Sequence, residues 1–208
     1  MDWTLFHFVN NLLVDHPLLA DGFEDFSIWS VPLLAIATLL LWFGDRPGSA
    51  PKWKLATTTA LASAGVALAT NQLIAQLWAR PRPTAAHADA HLFFVAPSTD
   101  PSFPSDHAGA AFAIACAVFL ISRRAGVGFL VAAGAIAVDR VLIGLHYPGD
   151  ITAGAIVGLA AALLIHRFGH PPLRRVVGLV SRVSDPLIRP VWRYVEAIGR
   201  ARSLRRTL

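Results

Sequence analysis

The chain has 208 residues, of which 55% are hydrophobic and only 15% are charged, and its formal net charge is +5. Because a soluble domain usually carries about a quarter charged residues, this composition excludes a water-exposed globule, a disordered chain and a nucleic-acid-binding domain, and it indicates a basic membrane protein. The single cysteine, Cys116, excludes an internal disulfide framework and a cysteine-rich metal site. The length fits one domain, residues 1–208.

The N-terminal segment 3–14 predicts an amphipathic helix lying at the membrane interface, because it is too short to span a bilayer. Its apolar face would turn toward the lipid or the helix bundle and consists of Phe6, Val9, Leu12 and Leu13. The His16-Pro17 pair ends this helix. We expect no signal peptide, because the segment carries neither a basic n-region nor a small-residue cleavage site.

Five apolar stretches follow, and we interpret them as transmembrane helices: residues 26–44, 55–79, 107–122, 125–138 (extended to 145) and 151–166. The first two lie close to or above the length of about 20 residues that a bilayer requires. The other three are shorter, but they are rich in alanine and in glycines such as Gly109, Gly154 and Gly158, and small residues permit close helix contacts in lipid. The sequence therefore predicts an all-α integral membrane protein, a bundle of about five transmembrane helices with an N-terminal interfacial helix.

The basic residues are distributed asymmetrically along this pattern. Residues 1–43 contain no Lys or Arg, whereas fifteen of the 18 lie in the loop 44–54, the turn 123–124 and the tail from residue 167. These segments share one side if five spans alternate, and basic loops stay in the cytoplasm. We therefore expect the N-terminus outside and residues 168–208 inside, as a cytoplasmic helical tail. This basic tail is interpreted as an anchor on anionic lipid headgroups, with partner binding as the alternative.

Polar residues from three segments gather on the opposite face. These segments follow the second span, open the third, and separate the fourth from the fifth, and they contribute Arg80, Arg82, Ser105, Asp106, His107, Asp139, Arg140, His146 and Asp150. Ionisable groups near a bilayer are costly unless they pair or function, so their convergence predicts a functional site. Arginines present planar donors that match phosphate oxygens. Ser105 would begin the third helix as a simple N-cap, as a ligand of a phosphate oxygen, or as both.

The two histidines of this face carry the predicted chemistry. His146 and Asp150 are four residues apart across a Tyr-Pro-Gly turn, so the carboxylate is able to accept a hydrogen bond from one ring nitrogen and leave the other free to attack phosphorus. His107 would protonate the departing oxygen. Zinc held by His107, His146 and Asp150 is the alternative. The adjacent arginines would repel a divalent cation, and no HExxH motif is present, so we expect neither a metal nor another cofactor.

These residues resemble the three signatures of the type 2 phosphatidic acid phosphatase superfamily, K-x6-R-P, P-S-G-H and S-R-x5-H-x3-D. Here the signatures occur as Ala75…Arg82-Pro83, Pro104-Ser105-Asp106-His107 and Asp139-Arg140…His146…Asp150. The family's lysine, glycine and serine are thus replaced by Ala75, Asp106 and Asp139. The FPSDHA sequence, the Arg-Pro-Arg-Pro run, the HYPxD ending and the LFHFVNNLL opening are similar to the bacitracin-resistance branch of undecaprenyl diphosphate phosphatases. The resemblance extends over about residues 4–198.

The resemblance implies an enzyme with its active site at the extracytoplasmic face and a catalytic core of about residues 24–167. It implies that His146 attacks the terminal phosphorus and forms a phosphohistidine, that Asp150 holds His146, and that His107 protonates the leaving group. The resemblance assigns the phosphoryl oxygens to Arg82, Ser105 and Arg140, with Asp106 and Arg80 as further candidates. Of these, Arg80 is a candidate substitute for the missing lysine, with a position facing the lipid headgroups as the alternative. The role of Asp139 stays open between steadying Arg140 and exposure to solvent.

The implied reaction is hydrolysis of undecaprenyl diphosphate to the monophosphate, which recycles the carrier lipid of cell-wall synthesis. A membrane lipid diphosphate and the bilayer are then the expected partners, with no nucleic acid. Another lipid phosphate is the first alternative: phosphatidylglycerophosphate, phosphatidic acid or a prenyl-linked sugar phosphate. A catalytically silent lipid-binding or transport protein is the second, and the intact His107, His146 and Asp150 argue against it.

Overall fold

The computed structural model describes residues 1–94 and 99–204, with the backbone alone for 199–204, and this part of the chain is helical without strands. Its helices are α1 (Asp2–Asn11), α2 (Pro17–Leu40), α3 (Lys52–Leu77), α4 (Pro83–Ala86), α5 (Asp106–Ile121), α6 (Arg123–Leu142), α7 (Pro148–Phe168) and α8 (His170–Leu204). A 3-10 turn, Leu41–Gly44, extends α2. Four of these helices, α2 with its extension, α3, α6 and α7, are long and apolar enough to cross a membrane, and α5 is a shorter apolar helix. The predicted bundle of about five apolar helices is confirmed.

Helix α5 lies at the centre of the bundle, where it packs against α3, α6 and α7. Most of its buried side chains are small, and they include Ala108, Ala111, Ala113, Ala115 and Ala117. The contact with α7 is closer still, because a Cβ atom on Gly154 would lie 2.5 Å from the Ser105 carbonyl oxygen. A Cβ on Gly158 would collide with the carbonyl oxygen of Gly109. Glycines therefore allow the two backbones to touch, as the small-residue pattern predicts.

Large apolar side chains lie on the outside of this small-residue core. Trp29, Leu33 and Leu40 of α2, Val131 of α6 and Ile156 of α7 are each at least half exposed. In water such a surface would be unfavourable. In a bilayer it is matched by lipid tails, so the distribution of large and small side chains agrees with a membrane protein.

Helix α1 packs against the bundle and is hydrogen-bonded to it. Phe6 and Asn10 are completely buried, whereas Leu12 is exposed. The Asn10 amide nitrogen donates to the carbonyl oxygen of Leu142 at 2.9 Å and to that of His91 at 3.0 Å, and its amide oxygen accepts from the His91 N–H. The polar face of α1 thus fastens it to the end of α6 and to the segment that follows α4.

Helix α8 docks on the end of the bundle where α3 begins. Lys54 is buried and forms an ion pair with Asp185 of α8, and the Trp42 indole donates to the Ser184 hydroxyl at 3.1 Å. The predicted tail 168–208 therefore forms a helix in its described part, and residues 205–208 of it lie outside the described residues.

Candidate active site

A cavity of about 520 Å³ opens at the opposite end of the bundle, where α3 and α6 end and α5 begins. It is lined by both predicted histidines, by two of the three predicted arginines and by Asp106, together with Ser27, Ile28, Gln72, Ala75, Phe94, Asp100, Pro101, Pro104 and Leu145. The three sequence segments that carry the predicted polar residues thus meet around one space. Both polar and apolar side chains line it, which suits a phosphate attached to a hydrocarbon chain.

The His146 ring is oriented by a backbone carbonyl. Its Nδ1 lies 2.8 Å from the carbonyl oxygen of Ser102, whereas the nearest Asp150 oxygen is 3.7 Å away, beyond hydrogen-bonding distance. Since a carbonyl accepts but cannot donate, Nδ1 carries the proton and Nε2 carries the lone pair. Burial lowers the pKa of His146, so that the neutral imidazole prevails at neutral pH. Nε2 lies 3.4 Å from the Arg82 guanidinium.

Asp150 therefore acts on His146 differently from the direct hydrogen bond predicted from the sequence. Its carboxylate is completely buried and accepts from the Ser102 hydroxyl at 2.5 Å, the Tyr147 N–H at 2.9 Å and the Arg80 guanidinium at 2.7 Å. It thus holds the loop residue whose carbonyl orients His146, and its charge stays close to the ring. The spacing of the sequence carries no signal for Ser102, because it is one of several serines in the segment 98–105.

Arg82 is aimed by two backbone oxygens. Its Nε donates to the carbonyl oxygen of Asp100 at 3.0 Å, and its Nη1 donates to that of Leu145 at 2.9 Å. These two acceptors belong to the loops on either side of the cavity. The guanidinium is therefore fixed beside His146 with a defined direction for its donors, as phosphate binding requires.

Arg140 is held from the other side by helix α2. Its Nη2 donates to the Ser27 carbonyl oxygen at 2.8 Å and to the Ser27 hydroxyl, and it lies 3.0 Å from the Asp139 carboxylate. Asp139 is completely buried. The question that the sequence leaves open is thus answered, because Asp139 steadies Arg140 by its charge and is not exposed. Ser27 stands 113 residues before Arg140 in the chain, so sequence spacing gives no sign of this contact.

Two predicted phosphate ligands lie outside the cavity lining. Ser105 is completely buried, and its hydroxyl accepts from the Ala108 N–H as the N-cap of α5. Arg80 forms ion pairs with Asp2 and Asp150 at 2.7 Å each. Two of its donors thus contact carboxylates, and its role as a substitute for the family's lysine stays a prediction.

The two remaining positions of the signatures do line the cavity. Ala75, which occupies the lysine position, forms part of the wall. Asp106 accepts from the Gln72 amide at 2.7 Å, and it contributes a negative charge where a phosphate ligand is expected. The role of the Asp106 side chain in binding phosphate stays a prediction, and it requires the protonated carboxyl, because a carboxylate offers no donor.

The zinc alternative finds no preformed site. Within residues 1–94 and 99–204, no group of three or more His, Cys, Asp or Glu side chains is arranged to hold a metal ion. The reason lies in the contacts of His146 and Asp150, since one is turned to a carbonyl and the other is already surrounded by donors.

Comparisons with known proteins show the family and the fold of the chain. A family model described as the PAP2 superfamily matches residues 53–172, which include the cavity residues from Gln72 to His146. Undecaprenyl-diphosphatase BcrC of Bacillus subtilis (strain 168) is 27% identical over 90% of this chain and 94% of its own length. The decaprenylphosphoryl-5-phosphoribose phosphatase of Mycobacterium tuberculosis (strain ATCC 25618 / H37Rv) is 30% identical over 77% of this chain and 86% of its own. The crystal structure of Aquifex aeolicus LpxE superimposes with a TM-score of 0.65 at 24% identity, covering 79% of this chain and 94% of that one, and so shows the shared fold.

Proposed function

The chain belongs to the PAP2 superfamily of membrane lipid phosphatases, and from this premise we propose that it hydrolyses the terminal phosphate of undecaprenyl diphosphate or a similar polyprenyl diphosphate. The observation that carries this proposal is the arrangement of His146, which lines a cavity together with Arg82 and Arg140 and whose Nε2 lies 3.4 Å from the Arg82 guanidinium. The resemblance to a named undecaprenyl-diphosphatase over nearly the whole chain supports the choice of substrate. Its biological consequence would be recycling of the carrier lipid for cell-wall synthesis.

In the first half of the proposed reaction, Nε2 of His146 attacks the terminal phosphorus. The bond between that phosphorus and the bridging oxygen breaks, and His107 gives its proton to the leaving lipid monophosphate. Arg82 and Arg140 bind the equatorial oxygens of the transferring group, as phosphoryl transfer depends on positioning and charge stabilisation. The Ser102 carbonyl and the charge of Asp150 stabilise the histidine as its ring takes on positive charge.

In the second half, water cleaves the phosphohistidine. His107, now neutral, takes a proton from the attacking water, the N–P bond breaks, and inorganic phosphate leaves with its oxygen supplied by the water. His146 returns to its neutral form with Nδ1 still turned to Ser102. This cycle requires no metal, because the arginines and the N-terminus of α5 supply the positive charge that stabilises the phosphoryl oxygens.

We further propose that the cavity opens at the extracytoplasmic face and that α8 lies in the cytoplasm, as one domain with a catalytic core of about 24–167. The asymmetry of the Lys and Arg residues supports this orientation. An Ala86→Cys variant in a Cys116→Ser background should react with a membrane-impermeant maleimide in intact cells. Labelling only after lysis would refute this orientation and favour the reverse one.

A prenyl-linked sugar phosphate is the second candidate substrate, because the relative from Mycobacterium tuberculosis is named for one. The deciding experiment measures phosphate release by the purified protein from undecaprenyl diphosphate, decaprenylphosphoryl-5-phosphoribose and phosphatidic acid. We expect the highest kcat/KM with undecaprenyl diphosphate, and a preference for either other lipid would refute the proposed substrate. Activity should survive EDTA, and a loss that added Zn²⁺ or Mg²⁺ restores would refute the metal-free cycle.

The histidine assignment has its own test. His146→Ala should abolish turnover. After rapid quenching of the wild-type reaction, ³²P from terminally labelled substrate should be bound covalently to the protein through an acid-labile bond. Retention of most activity by His146→Ala would remove the nucleophile assignment, and loss of label transfer with normal turnover would remove the covalent intermediate. Absence of activity on all lipid phosphates would favour the silent binding or transport protein.

A further inference from the structure

Arg80 bridges two carboxylates that come from opposite ends of the sequence. Its Nη1 lies 2.7 Å from Asp150 at the start of α7, and its Nη2 lies 2.7 Å from Asp2 at the start of α1. The guanidinium carbon stands 3.8 Å from the centre of the Tyr147 ring, in a cation–π contact. The second oxygen of Asp2 accepts from the Gly149 N–H at 2.8 Å. The first turn of α1 is therefore fastened to the first turn of α7 through this arginine and beside it.

The electrostatic need for Arg80 follows from the burial of its partner. Asp150 is 0% exposed, and a buried carboxylate without a cation is strongly unfavourable. Arg80 supplies that cation, and Asp2 in turn balances Arg80. The charges thus alternate along a line from Asp2 through Arg80 to Asp150, which ends 3.7 Å from the His146 ring.

We infer that Arg80 and Asp2 are positioning residues for the nucleophile: Arg80 fixes the orientation and the effective charge of Asp150, and Asp2 sets how much of the Arg80 charge reaches Asp150. Helix α1 is then part of the catalytic support. This inference rests on the proposed function of His146 as nucleophile. Neither side chain touches the cavity, so both would change kcat and its pH dependence and leave KM nearly unaltered.

The direction of each effect follows from the charges. Removing the Arg80 cation leaves the Asp150 charge less compensated, which favours the imidazolium form of His146. The acid limb of the kcat–pH profile, where kcat falls as His146 is protonated, should then move to higher pH. Removing the Asp2 anion leaves Arg80 to act more fully on Asp150, which moves the limb downward. The other charged or titratable groups that line the cavity with His146 are Arg82 before α4, Asp100 of the loop before α5, Asp106 and His107 of α5, and Arg140 of α6. All of them stay unchanged in both variants.

The test measures kcat against pH for Arg80→Met, Asp2→Asn and the double variant, with whichever lipid phosphate the wild type hydrolyses. Failure of the proposed substrate is therefore separate from failure of this inference. We expect Arg80→Met to lower kcat at least tenfold and to raise the acid limb by about 0.5–1 pH unit, because one unit corresponds to 1.36 kcal/mol of differential interaction. Asp2→Asn should lower the limb by a few tenths of a unit. The acid limb of the double variant should match that of Arg80→Met, since the charge of Asp2 acts on Asp150 through Arg80.

Asp89→Asn is the matched control for loss of an acidic residue near α1. Its carboxylate is largely exposed and stands 3.8 Å from His7 of that helix, and the acid limb should stay at the wild-type position. Reduced kcat with an unmoved acid limb in both Arg80→Met and Asp2→Asn would show a merely structural role and overturn the inference, as would additive effects in the double variant. If Arg80→Met does not fold, Asp2→Asn decides alone: a downward limb supports the inference, and an unmoved or upward limb refutes it.

Discussion

Replacing Gly154 by alanine would test whether the contact between α5 and α7 sets the geometry of the site. The added Cβ atom would lie 2.5 Å from the Ser105 carbonyl oxygen, 3.1 Å from the Gly109 nitrogen and 3.3 Å from the Ala108 side chain. Two of these three neighbours are backbone atoms, which cannot turn aside as a flexible side chain does. The two helices must therefore move apart at the end that carries the cavity.

The size of the displacement can be worked from these distances. A carbon–oxygen contact is comfortable at about 3.4 Å, so the Ser105 carbonyl has to retreat by about 0.9 Å. Helix α5 carries His107, and the loop that enters α7 carries His146, so the separation between proton donor and nucleophile changes by a similar amount. A misplacement of about 1 Å costs about 100-fold in rate. Overpacking of this kind also costs about 1–3 kcal/mol of stability.

We therefore expect Gly154→Ala to lower kcat by about 30- to 100-fold, with a smaller change in KM because Arg140 is held by α2 and Arg82 is also held by the carbonyl of Asp100. The assay is steady-state phosphate release in detergent, with thermal unfolding measured in parallel. Gly134→Ala in α6 is the matched control, since a Cβ there meets no atom within 4 Å. Gly158→Ala strains the same helix pair one turn farther from the site and should reduce Tm with a milder loss of kcat. Retention of more than half the wild-type kcat by Gly154→Ala would refute this reasoning.

Three further predictions concern the supports of the site and of the bundle. Ser27→Ala removes one acceptor of Arg140 and should raise KM by about tenfold, on the basis of about 1.4 kcal/mol for a hydrogen bond to a charged group; an unchanged KM in phosphate-release assays would contradict it. Burial lowers the pKa of His146 from its ordinary 6.5, so the neutral nucleophile persists into mild acid. The acid limb of the kcat/KM–pH profile should therefore lie below pH 6.5, and a limb above that value would count against His146 as the nucleophile. Asp185→Asn leaves the Lys54 ammonium buried without its counter-charge and should cost about 3 kcal/mol, seen as a lower Tm with kcat unchanged, because this pair lies at the far end of α3.

The fold could be predicted from the sequence because its helices coincide with apolar runs. The predicted spans 107–122 and 151–166 correspond closely to α5 (Asp106–Ile121) and α7 (Pro148–Phe168). Helix α2 was harder to delimit, because it begins at Pro17, nine residues before the predicted span 26–44. Its first turns carry Asp21, Glu24 and Asp25, which break the apolar pattern and leave the helix intact.

Only the charged residues of the site and the residues of short motifs could be predicted from the sequence. Arg82, His107, Arg140 and His146 do line one cavity, since motifs placed at the ends of alternating helices have to converge. Ser27, Ser102 and Asp2 escaped prediction, because each contacts its partner across at least 44 residues and none belongs to a motif. The charge of Arg80 is visible in the sequence and predicts a phosphate ligand, whereas its contacts with Asp2 and Asp150 are not visible there.

The charges around the cavity predict that a lipid phosphate suits this site better than a soluble phosphate. The guanidinium groups of Arg82 and Arg140 are matched by carboxylates, with Asp100 and Asp106 in the lining and Asp139 in contact with Arg140. Ala75 adds no charge where the family's lysine stands. The cavity thus offers directed donors without a net positive field, so it attracts free anions poorly.

A lipid substrate does not depend on such attraction, because its hydrocarbon chain concentrates the diphosphate at the membrane surface. We therefore expect kcat/KM for inorganic pyrophosphate to be at least 100-fold lower than for farnesyl diphosphate in mixed micelles, since a few buried methylene groups at about 0.8 kcal/mol each supply that factor. Ala75→Lys, which adds the missing charge, should narrow this gap by improving pyrophosphate more than the lipid. Equal kcat/KM values in the wild-type protein would show that the cavity attracts phosphate by charge and that this account of its selectivity is wrong.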